Sequence, residues 1–339
     1  MSSPQKSPYT VVGAGAIGGT LAHHLARAGH KVTVVDAEPD HVAEIVAHGI
    51  TVVHPNETVT VSVNNAFTPD GGPDTLGRVL LAVKAQATDK ALDWIAPRLA
   101  ADGFVVSLQN GLNEDAIAAR VGTHRTVGAF VNLFADLIGP GRIRDGGLGA
   151  LVVGELDGSQ SERVRSVVHD LQSWGPARAT TNVPGYLWSK LGFGAMLTAT
   201  ALADAPMAEL IDRHRPLMYR LAAEVFAVAR ALGITLEPFD AFDPAPYSGD
   251  DEAAKDATTD HLVAWLSTQS KDRSGIWRDL AVLHRRTEVP THYGAVVRAA
   301  DQARVDIPLL RTLLQQISEL EDGAEMSEER LRDLAMVSA

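Results

Sequence analysis

A glycine-rich loop near the start of the chain is the feature that most constrains its fold. The loop, from Gly13 to Gly19, follows a short apolar segment, Tyr9–Val12, and precedes a segment of helical character, Thr20–Ala28. Asp36 stands eighteen residues after Gly18, at the end of the next apolar run. A strand, a G-x-G-x-x-G turn, a helix and an acidic residue in this order and spacing are typical of dinucleotide-binding units.

The three glycines of this pattern have separate physical roles. One permits the tight turn, one lets the backbone approach a pyrophosphate, and one lets the helix pack closely on the strand. The backbone amides and the dipole at the start of the helix favour bound phosphate. We therefore expect the loop to bind the pyrophosphate of a dinucleotide through Gly13, Gly15, Ala16, Ile17 and Gly18.

Asp36 indicates which nicotinamide cofactor is bound. A carboxylate at the end of the second strand can accept hydrogen bonds from the adenosine ribose hydroxyls, and it would repel a 2′-phosphate. Residues 37–40 are acidic or neutral and include no arginine, so we predict NAD as the cofactor rather than NADP. The alternative that Asp36 only caps the following helix stays open.

The composition excludes several other classes of protein. A net charge of −12 without a block of basic residues argues against a nucleic-acid partner, because phosphate neutralisation needs clustered Lys and Arg. The chain has no cysteine, and its 12 histidines show no metal-ligand spacing, so we expect neither disulfides nor a metal site. No apolar run is long enough to span a bilayer, and residues 1–8 form a polar segment without the apolar core of a signal peptide. We expect a cytoplasmic protein with no membrane partner and a disordered tail over residues 1–8.

The 339 residues are too many for one comfortable core and favour two domains. Residues 9–160 alternate short β-branched runs with helical stretches, of which Thr20–Ala28 and Asp89–Leu99 fit crossover helices. The clearest strands are Tyr9–Val12, Lys31–Val35, Val79–Val83, Phe104–Leu108 and Leu151–Val153. Right-handed crossovers between such strands predict a doubly wound parallel sheet, an α/β Rossmann domain that binds NAD.

Helical periodicity dominates residues 161–325 and predicts an all-helical domain that holds the substrate and the catalytic groups. One apolar stripe at helical spacing consists of Leu217, Leu221, Val225, Val228 and Leu232. Gly233 follows it as a helix stop, and the acidic, proline-containing residues 238–256 predict a loop. Later helices are predicted over His261–Gln269, Pro290–Gln302 and Leu309–Leu320. Residues 326–339 form either a terminal helix or a tail, and an apolar face on the helical domain is compatible with a homodimer.

Five further motifs follow the glycine loop in a fixed order. They are Val-Lys-Ala-Gln-Ala-Thr at 83–88, Gln-Asn-Gly-Leu at 109–112, Tyr-Leu-Trp-Ser-Lys-Leu at 186–191, Arg-Arg-Thr-Glu-Val at 285–289 and Val-Asp-Ile-Pro at 305–308. Together they resemble the ketopantoate reductase (2-dehydropantoate 2-reductase) family from about Tyr9 to Leu320. The resemblance implies a Rossmann domain followed by a helical domain like the carboxyl-terminal one of 6-phosphogluconate dehydrogenase.

The resemblance also implies roles for four polar residues. Lys190 takes the place of the family's general acid, and Glu288 that of the glutamate that binds the substrate hydroxyl. Asn110 takes the place of the asparagine that helps hold nicotinamide and substrate, and Lys84 that of a lysine facing the cofactor.

Each of these residues also has a simpler interpretation. Lys190 could be a solvated helix residue, although its apolar neighbours favour a buried position, where a lysine needs a reason. Glu288 could belong to a surface salt-bridge cluster with the two arginines before it. Asn110 could form a plain Asn-Gly turn, and Lys84 could be a surface cation near phosphate.

The expected substrate pocket departs from the family pattern. Gly194 and Thr198 stand where the family has asparagines on the face of the lysine helix, and Gly275, beside Ser274, stands where it has a carboxylate-binding serine. Small or apolar residues thus replace polar donors, and Gly194 and Gly275 are expected to leave volume, with Trp277 as an apolar wall. We predict a substrate that is bulkier and less carboxylate-like than ketopantoate, and an aromatic group fits this description.

The favoured function is an NAD-dependent dehydrogenase or reductase that acts on the CH–OH group of a small-molecule alcohol or on the corresponding ketone. Lys190 would supply the proton in reduction and accept it in oxidation. The alternatives are a genuine 2-dehydropantoate 2-reductase using NADPH, an imine reductase on the same scaffold, and a dinucleotide-binding protein without turnover.

Overall fold

The computed structural model describes residues 8–269 and 271–338. The chain divides into two compact units, the first ending at Val183 and the second starting at Pro184. Seven residues of the predicted amino-terminal tail lie outside the described residues. None of the helices in the described parts of the chain is both long and apolar enough to cross a membrane.

The first unit is built on an eight-stranded sheet. Its strands are β1 (Tyr9–Val12), β2 (Val32–Val35), β5 (Asn65–Phe67), β6 (Leu76–Leu81), β7 (Leu99–Ser107), β8 (Thr126–Val131), β11 (Leu151–Glu155) and β12 (Ala177–Ala179). They lie in the order β12-β11-β8-β7-β6-β1-β2-β5, and all neighbours are parallel except β8 and β11. The predicted doubly wound sheet is therefore confirmed, with one antiparallel pair that the sequence analysis did not predict.

Helices cover both faces of this sheet. They are α1 (Ala16–Arg27), α2 (Pro39–His48), α3 (Thr88–Ile95), α4 (Glu114–Val121) and α5 (Glu162–Leu171). Alternate residues of β1 enter different cores, with Val11 packed in one cluster and Val12 in the other. Burial on both faces explains why the strands are continuous β-branched runs rather than alternating ones.

A second, four-stranded sheet in the same unit was not predicted. Its strands are β3 (Ile50–Val53), β4 (Thr58–Val61), β9 (Ala135–Gly139) and β10 (Arg142–Asp145), in the order β4-β3-β10-β9. The parallel pairing of β3 with β10 joins segments about 90 residues apart, and β4 and β9 are largely exposed or half-buried. Short strands of this kind have too weak an alternation of apolar residues to be recognised locally.

The boundary between the units corrects the one expected after residue 160. Helix α5 and strand β12 belong to the first unit, because β12 pairs with β11 and extends the main sheet. The three residues of β12 include two exposed ones, so this strand carries almost no apolar signal.

The second unit is helical, as predicted. Its helices are α6 (Val183–Thr200), which starts at the last residue of the first unit, α7 (Met207–Arg213), α8 (Arg215–Ala231), α9 (Glu252–Ser267), α10 (Gly275–Ala281), α11 (Val289–Ala303), α12 (Pro308–Glu321) and α13 (Glu328–Ala335). The predicted stripe lies on α8 and is buried except for Leu232, which follows the helix and is 47% exposed. Gly233 has a φ of +73° and ends this helix, and α13 shows that much of segment 326–339 is helical.

Candidate active site

The glycine loop has the backbone geometry that is typical of dinucleotide-binding turns. Gly13 has a φ of +93°, and a Cβ atom there would lie 2.6 Å from the amide nitrogen of Val83. A Cβ at Gly18 would collide with the carbonyl oxygen of Gly13, so this position lets α1 pack on the loop. At Gly15, which directly precedes α1, a Cβ would meet no atom within 4 Å. The open side of Gly15 therefore leaves room for a ligand to approach the first amides of the helix.

The other predicted cofactor residues follow neighbouring strands of the main sheet. Asp36 comes directly after β2, Lys84 follows β6 and Asn110 follows β7, and the glycine loop follows β1. These four strands are adjacent in the order β7-β6-β1-β2, and they are parallel, so their carboxyl ends share one edge. The side chains of Lys84 and Asn110 are exposed there. The sheet reverses its order of connection at β1 and β6, which is where such folds bind dinucleotides.

Both carboxylate oxygens of Asp36 accept backbone hydrogen bonds. Oδ2 accepts from the amide of Ala14 at 2.7 Å, and Oδ1 accepts from the amide of Glu38, the residue that precedes α2, at 3.0 Å. Asp36 thus links the glycine loop to the residue before α2. It does not cap that helix, because its side chain accepts from the amide of Glu38 itself and not from an amide of the first helical turn. Each oxygen has a second lone pair that a ribose hydroxyl can use.

Gln109 supports the loop that carries Asn110, a role that the sequence analysis missed. Its buried side-chain amide donates to the carbonyl of Val83 at 2.9 Å and to the hydroxyl of Thr88 at 2.7 Å. Asn113 donates from its side chain to the carbonyl oxygen of Asn110 at 2.8 Å. The ends of β6 and β7 are therefore tied together beneath the two exposed polar residues. The signal in the sequence that could have identified this role was a glutamine directly after an apolar strand.

Glu114, at the start of α4, is a second buried polar residue that the sequence analysis did not single out. Burial raises the pKa of its carboxyl group to about 7, and the amide of Asn113, which donates to it at 3.0 Å, opposes the rise. A carboxyl group therefore titrates near neutral pH close to the loop of Asn110.

Lys190 lies on α6 and is half-buried among buried neighbours, including Trp188 and Ser189. Loss of hydration lowers the pKa of its ammonium group to about 8, and the negative charge of Asp240 opposes this shift. Lys190 is therefore not the solvated helix residue of the simpler interpretation. An amine with a pKa near 8 can both donate and accept a proton close to neutral pH.

Asp240 belongs to a turn that is fastened to the same helix. The amide of Glu237 donates to the hydroxyl of Ser189 at 3.1 Å, and the ring of Phe193 lies 5.0 Å from the ring of Phe242. The backbones of Phe239 and Phe242 bond to each other at 3.0 and 2.8 Å across the turn, in which Asp240 has a φ of +46°. The sequence analysis predicted only an acidic loop here, since nothing local indicated that its carboxylate acts on Lys190.

Comparisons with known proteins identify the family. The model described as ketopantoate reductase PanE/ApbA matches residues 9–158, and the model of its C-terminal part matches residues 182–321. The chain belongs to the ketopantoate reductase family.

Relatives and solved structures of this family cover most of the chain. The 2-dehydropantoate 2-reductase of Mesorhizobium japonicum is 30% identical over 66% of this chain and 76% of its own length. That of Halobacterium salinarum is 26% identical over 89% of this chain and 95% of its own. A ketopantoate reductase from Ralstonia eutropha superposes with a TM-score of 0.76 at 28% identity, covering 93% of this chain and 98% of that one. D-mandelate dehydrogenase, solved with NADH and anilino(oxo)acetate, has a TM-score of 0.79 at 23% identity over 93% and 98% of the two chains and shares the fold.

Glu288, which the resemblance assigns to the family's glutamate, directly precedes α11. The arginines before it pair with other carboxylates: Arg285 lies 2.8 Å from Asp279, and Arg286 contacts Glu321 at 3.2 Å. The salt bridges expected around Glu288 thus form between these two arginines and carboxylates outside the motif at 285–289.

Thr287 holds the start of α11 in place. Its amide and hydroxyl both donate to one oxygen of Glu321, at 2.8 and 2.7 Å. Further along α11, the hydroxyl of Tyr293 donates to the carbonyl of Leu191 on α6 at 2.9 Å. Lys190 therefore lies on a helix that contacts α11, the helix that begins directly after Glu288.

The volume expected at Gly194 is occupied, which corrects the sequence analysis. A Cβ atom there would lie 2.9 Å from the hydroxyl oxygen of Tyr293, and that residue is only 3% exposed. Thr198 is buried on the same helix and donates to the carbonyl of Gly194 at 2.7 Å. A side chain from another helix fills the gap, and local sequence does not report such packing.

The predicted pocket residues on α10 have different surroundings. Gly275 is exposed, and a Cβ there would meet no atom within 4 Å, so the space beside it is open to solvent. Ser274 caps the helix by accepting from the amide of Trp277 at 3.2 Å. Trp277 is half-buried, with the guanidinium of Arg273 5.3 Å from its ring centre.

Proposed function

We propose that this protein is an NAD(H)-dependent oxidoreductase that transfers a hydride between nicotinamide and a carbonyl or secondary alcohol carbon. The observation that carries the proposal is Lys190, a half-buried lysine whose pKa burial lowers to about 8. A sensor that only binds a dinucleotide has no need of such a proton donor.

Bound nicotinamide supplies or accepts the hydride, and the protein supplies the rest. Gly15 and the first amides of α1 would bind the pyrophosphate, and Asp36 would accept hydrogen bonds from the adenosine ribose. Lys190 would donate a proton from Nζ to the carbonyl oxygen in reduction and take it back in oxidation. Glu288 would accept a hydrogen bond from the substrate hydroxyl, and Asn110 would orient nicotinamide and substrate.

The choice of NAD rests on Asp36 and on the residues after it. The carboxylate is held at the end of β2 by two backbone amides, and residues 37–40 contain no arginine that could pair with a 2′-phosphate. The neighbour solved with NADH is in keeping with this choice. Titration of the protein with NADH and with NADPH tests it, and tighter binding of NADPH would overturn it.

For the substrate we propose a carbonyl compound with a bulky aromatic substituent. The open space at Gly275 and the adjacent half-buried Trp277 support an apolar group, and a fold neighbour acts on mandelate, an aromatic hydroxy acid. The curated relatives favour 2-dehydropantoate as the alternative substrate. The test compares phenylglyoxylate, its ketone analogue without the carboxylate, and 2-dehydropantoate by NADH absorbance. The highest kcat/KM on 2-dehydropantoate would refute the aromatic proposal.

Replacing Lys190 by Met tests the mechanism. Turnover should fall by about two to four orders of magnitude, because general acid catalysis contributes that much, while the Kd of NADH stays unchanged. Lys255→Met is a matched control, since Lys255 pairs with Glu252 at 2.6 Å on α9 of the same unit. Turnover of Lys190→Met equal to that of the control would refute the proposed role.

A further inference from the structure

We propose that His41 is a positioning residue that aims the backbone amide of Gly15 at the dinucleotide. The imidazole joins the glycine loop to the second sheet. The proposal rests on the dinucleotide binding argued above, but the joint itself is independent of any ligand.

The hydrogen bonds of His41 define its tautomer. The residue lies on α2 and is 6% exposed. The amide of Gly141 donates to its Nδ1 atom at 3.0 Å, so Nδ1 must be unprotonated. The proton of the neutral ring is therefore on Nε2, which lies 2.9 Å from the carbonyl oxygen of Ala14 and donates to it.

Both backbone polar groups of Ala14 form hydrogen bonds. Its carbonyl accepts from His41, and its amide donates to Asp36 at 2.7 Å. In a trans peptide the carbonyl of one residue and the amide of the next point in opposite directions from the same plane. Fixing the carbonyl of Ala14 therefore turns the amide of Gly15 away from His41. Gly15 is the loop position whose Cβ direction is open.

The second sheet positions the residue whose amide donates to His41. Gly141 lies in the turn between β9 and β10 and has a φ of +62°. A Cβ atom at Gly19 on α1 would lie 2.5 Å from the side chain of Ile143 on β10, so the sheet also packs directly against the helix that follows the loop. The sheet thus braces the phosphate-binding loop through one hydrogen-bonded histidine and one close packing contact.

Two substitutions separate hydrogen bonding from packing. Glutamine offers one acceptor and one donor at nearly the spacing of the two imidazole nitrogens, so His41→Gln should keep both bonds. His41→Leu fills similar space without either bond. His48→Leu on the exposed end of the same helix, where the histidine pairs with Glu44 at 3.0 Å, is the matched control.

The measurements are the Kd of NADH by fluorescence titration and amide hydrogen exchange over residues 13–18 without cofactor. His41→Leu loses both bonds, and the loss of the one to the carbonyl of Ala14 should raise the Kd by about three- to tenfold and speed exchange in the loop. His41→Gln and His48→Leu should behave like the unmodified protein.

Unchanged Kd and exchange in His41→Leu would overturn the proposal, and so would equal losses in His41→Gln and His41→Leu, which would assign the effect to ring packing. If the unmodified protein binds neither NADH nor NADPH, the proposed function fails. Hydrogen exchange then still decides whether His41 holds the loop.

Discussion

Replacing Asp240 by Asn should lower the pKa of Lys190. Burial lowers this pKa from 10.5 to about 8, and the carboxylate of Asp240 is the group that opposes the shift. Glu237 lies in the same loop as Asp240, Glu288 directly precedes α11 and Tyr293 lies on that helix, which contacts α6. Removing the charge of Asp240 leaves burial unopposed.

The size of the effect follows from the exposure of Asp240. Because its side chain is exposed, the charge acts through a medium close to water, where a contact pair is worth about 1 kcal/mol or less. The pKa of Lys190 should then fall by about 0.7 unit or less. Reduction needs the protonated lysine, and oxidation needs the neutral amine. The rate of reduction is therefore highest below the pKa of Lys190 and falls as the pH rises through it, whereas the rate of oxidation increases. At pH 8 the substitution should slow reduction by up to about threefold and speed oxidation by up to about twofold.

The assay follows NADH absorbance in both directions between pH 6 and 9.5 and locates the pKa in each kcat/KM profile. Asp243→Asn is the control, because Asp243 is an exposed carboxylate of the same loop that accepts from the amide of Ala245 at 3.0 Å. Opposite changes in the two directions identify an electrostatic effect on Lys190. Equal losses in both directions, or a pKa that does not move, would refute the reasoning.

Three further substitutions test other parts of the structure. Gly13→Ala should cost about 1–3 kcal/mol of stability and weaken NADH binding, because the residue has a φ of +93° and abuts Val83; thermal melting and NADH titration measure both. Asp170→Ala should lower the free energy of unfolding by about 3–5 kcal/mol in urea titrations, because it removes the carboxylate that lies 2.9 Å from the buried guanidinium of Arg78; a loss below 1 kcal/mol would contradict this. Glu288→Gln should reduce kcat/KM by about ten- to hundredfold at an unchanged Kd for NADH, and a parallel loss of NADH binding would argue against a role at the substrate.

Several features of the site were accessible from sequence because they depend on local geometry. The strand at Tyr9–Val12 has the bounds that its apolar run predicts, and Gly13 and Gly15 lie in the turn between this strand and α1. Lys190 was identified by its motif and by its apolar neighbours, and its position on α6 is half-buried. The prediction of empty space at Gly194 was wrong, because the hydroxyl group of Tyr293 occupies that space from a helix about 100 residues further along the chain.

The sequence by itself determined the first strand, the glycine turn and the place of Asp36 after the second strand, because backbone conformation, strand periodicity and residue spacing are properties of neighbouring residues. Only the tertiary structure decided which side chains act on those groups. His41 reaches Ala14 across 27 residues and Gly141 across 100, and Asp240 affects Lys190 from a separate loop. The physical reason is that hydrogen bonds and charges act over a few ångströms in space, whatever the separation along the chain.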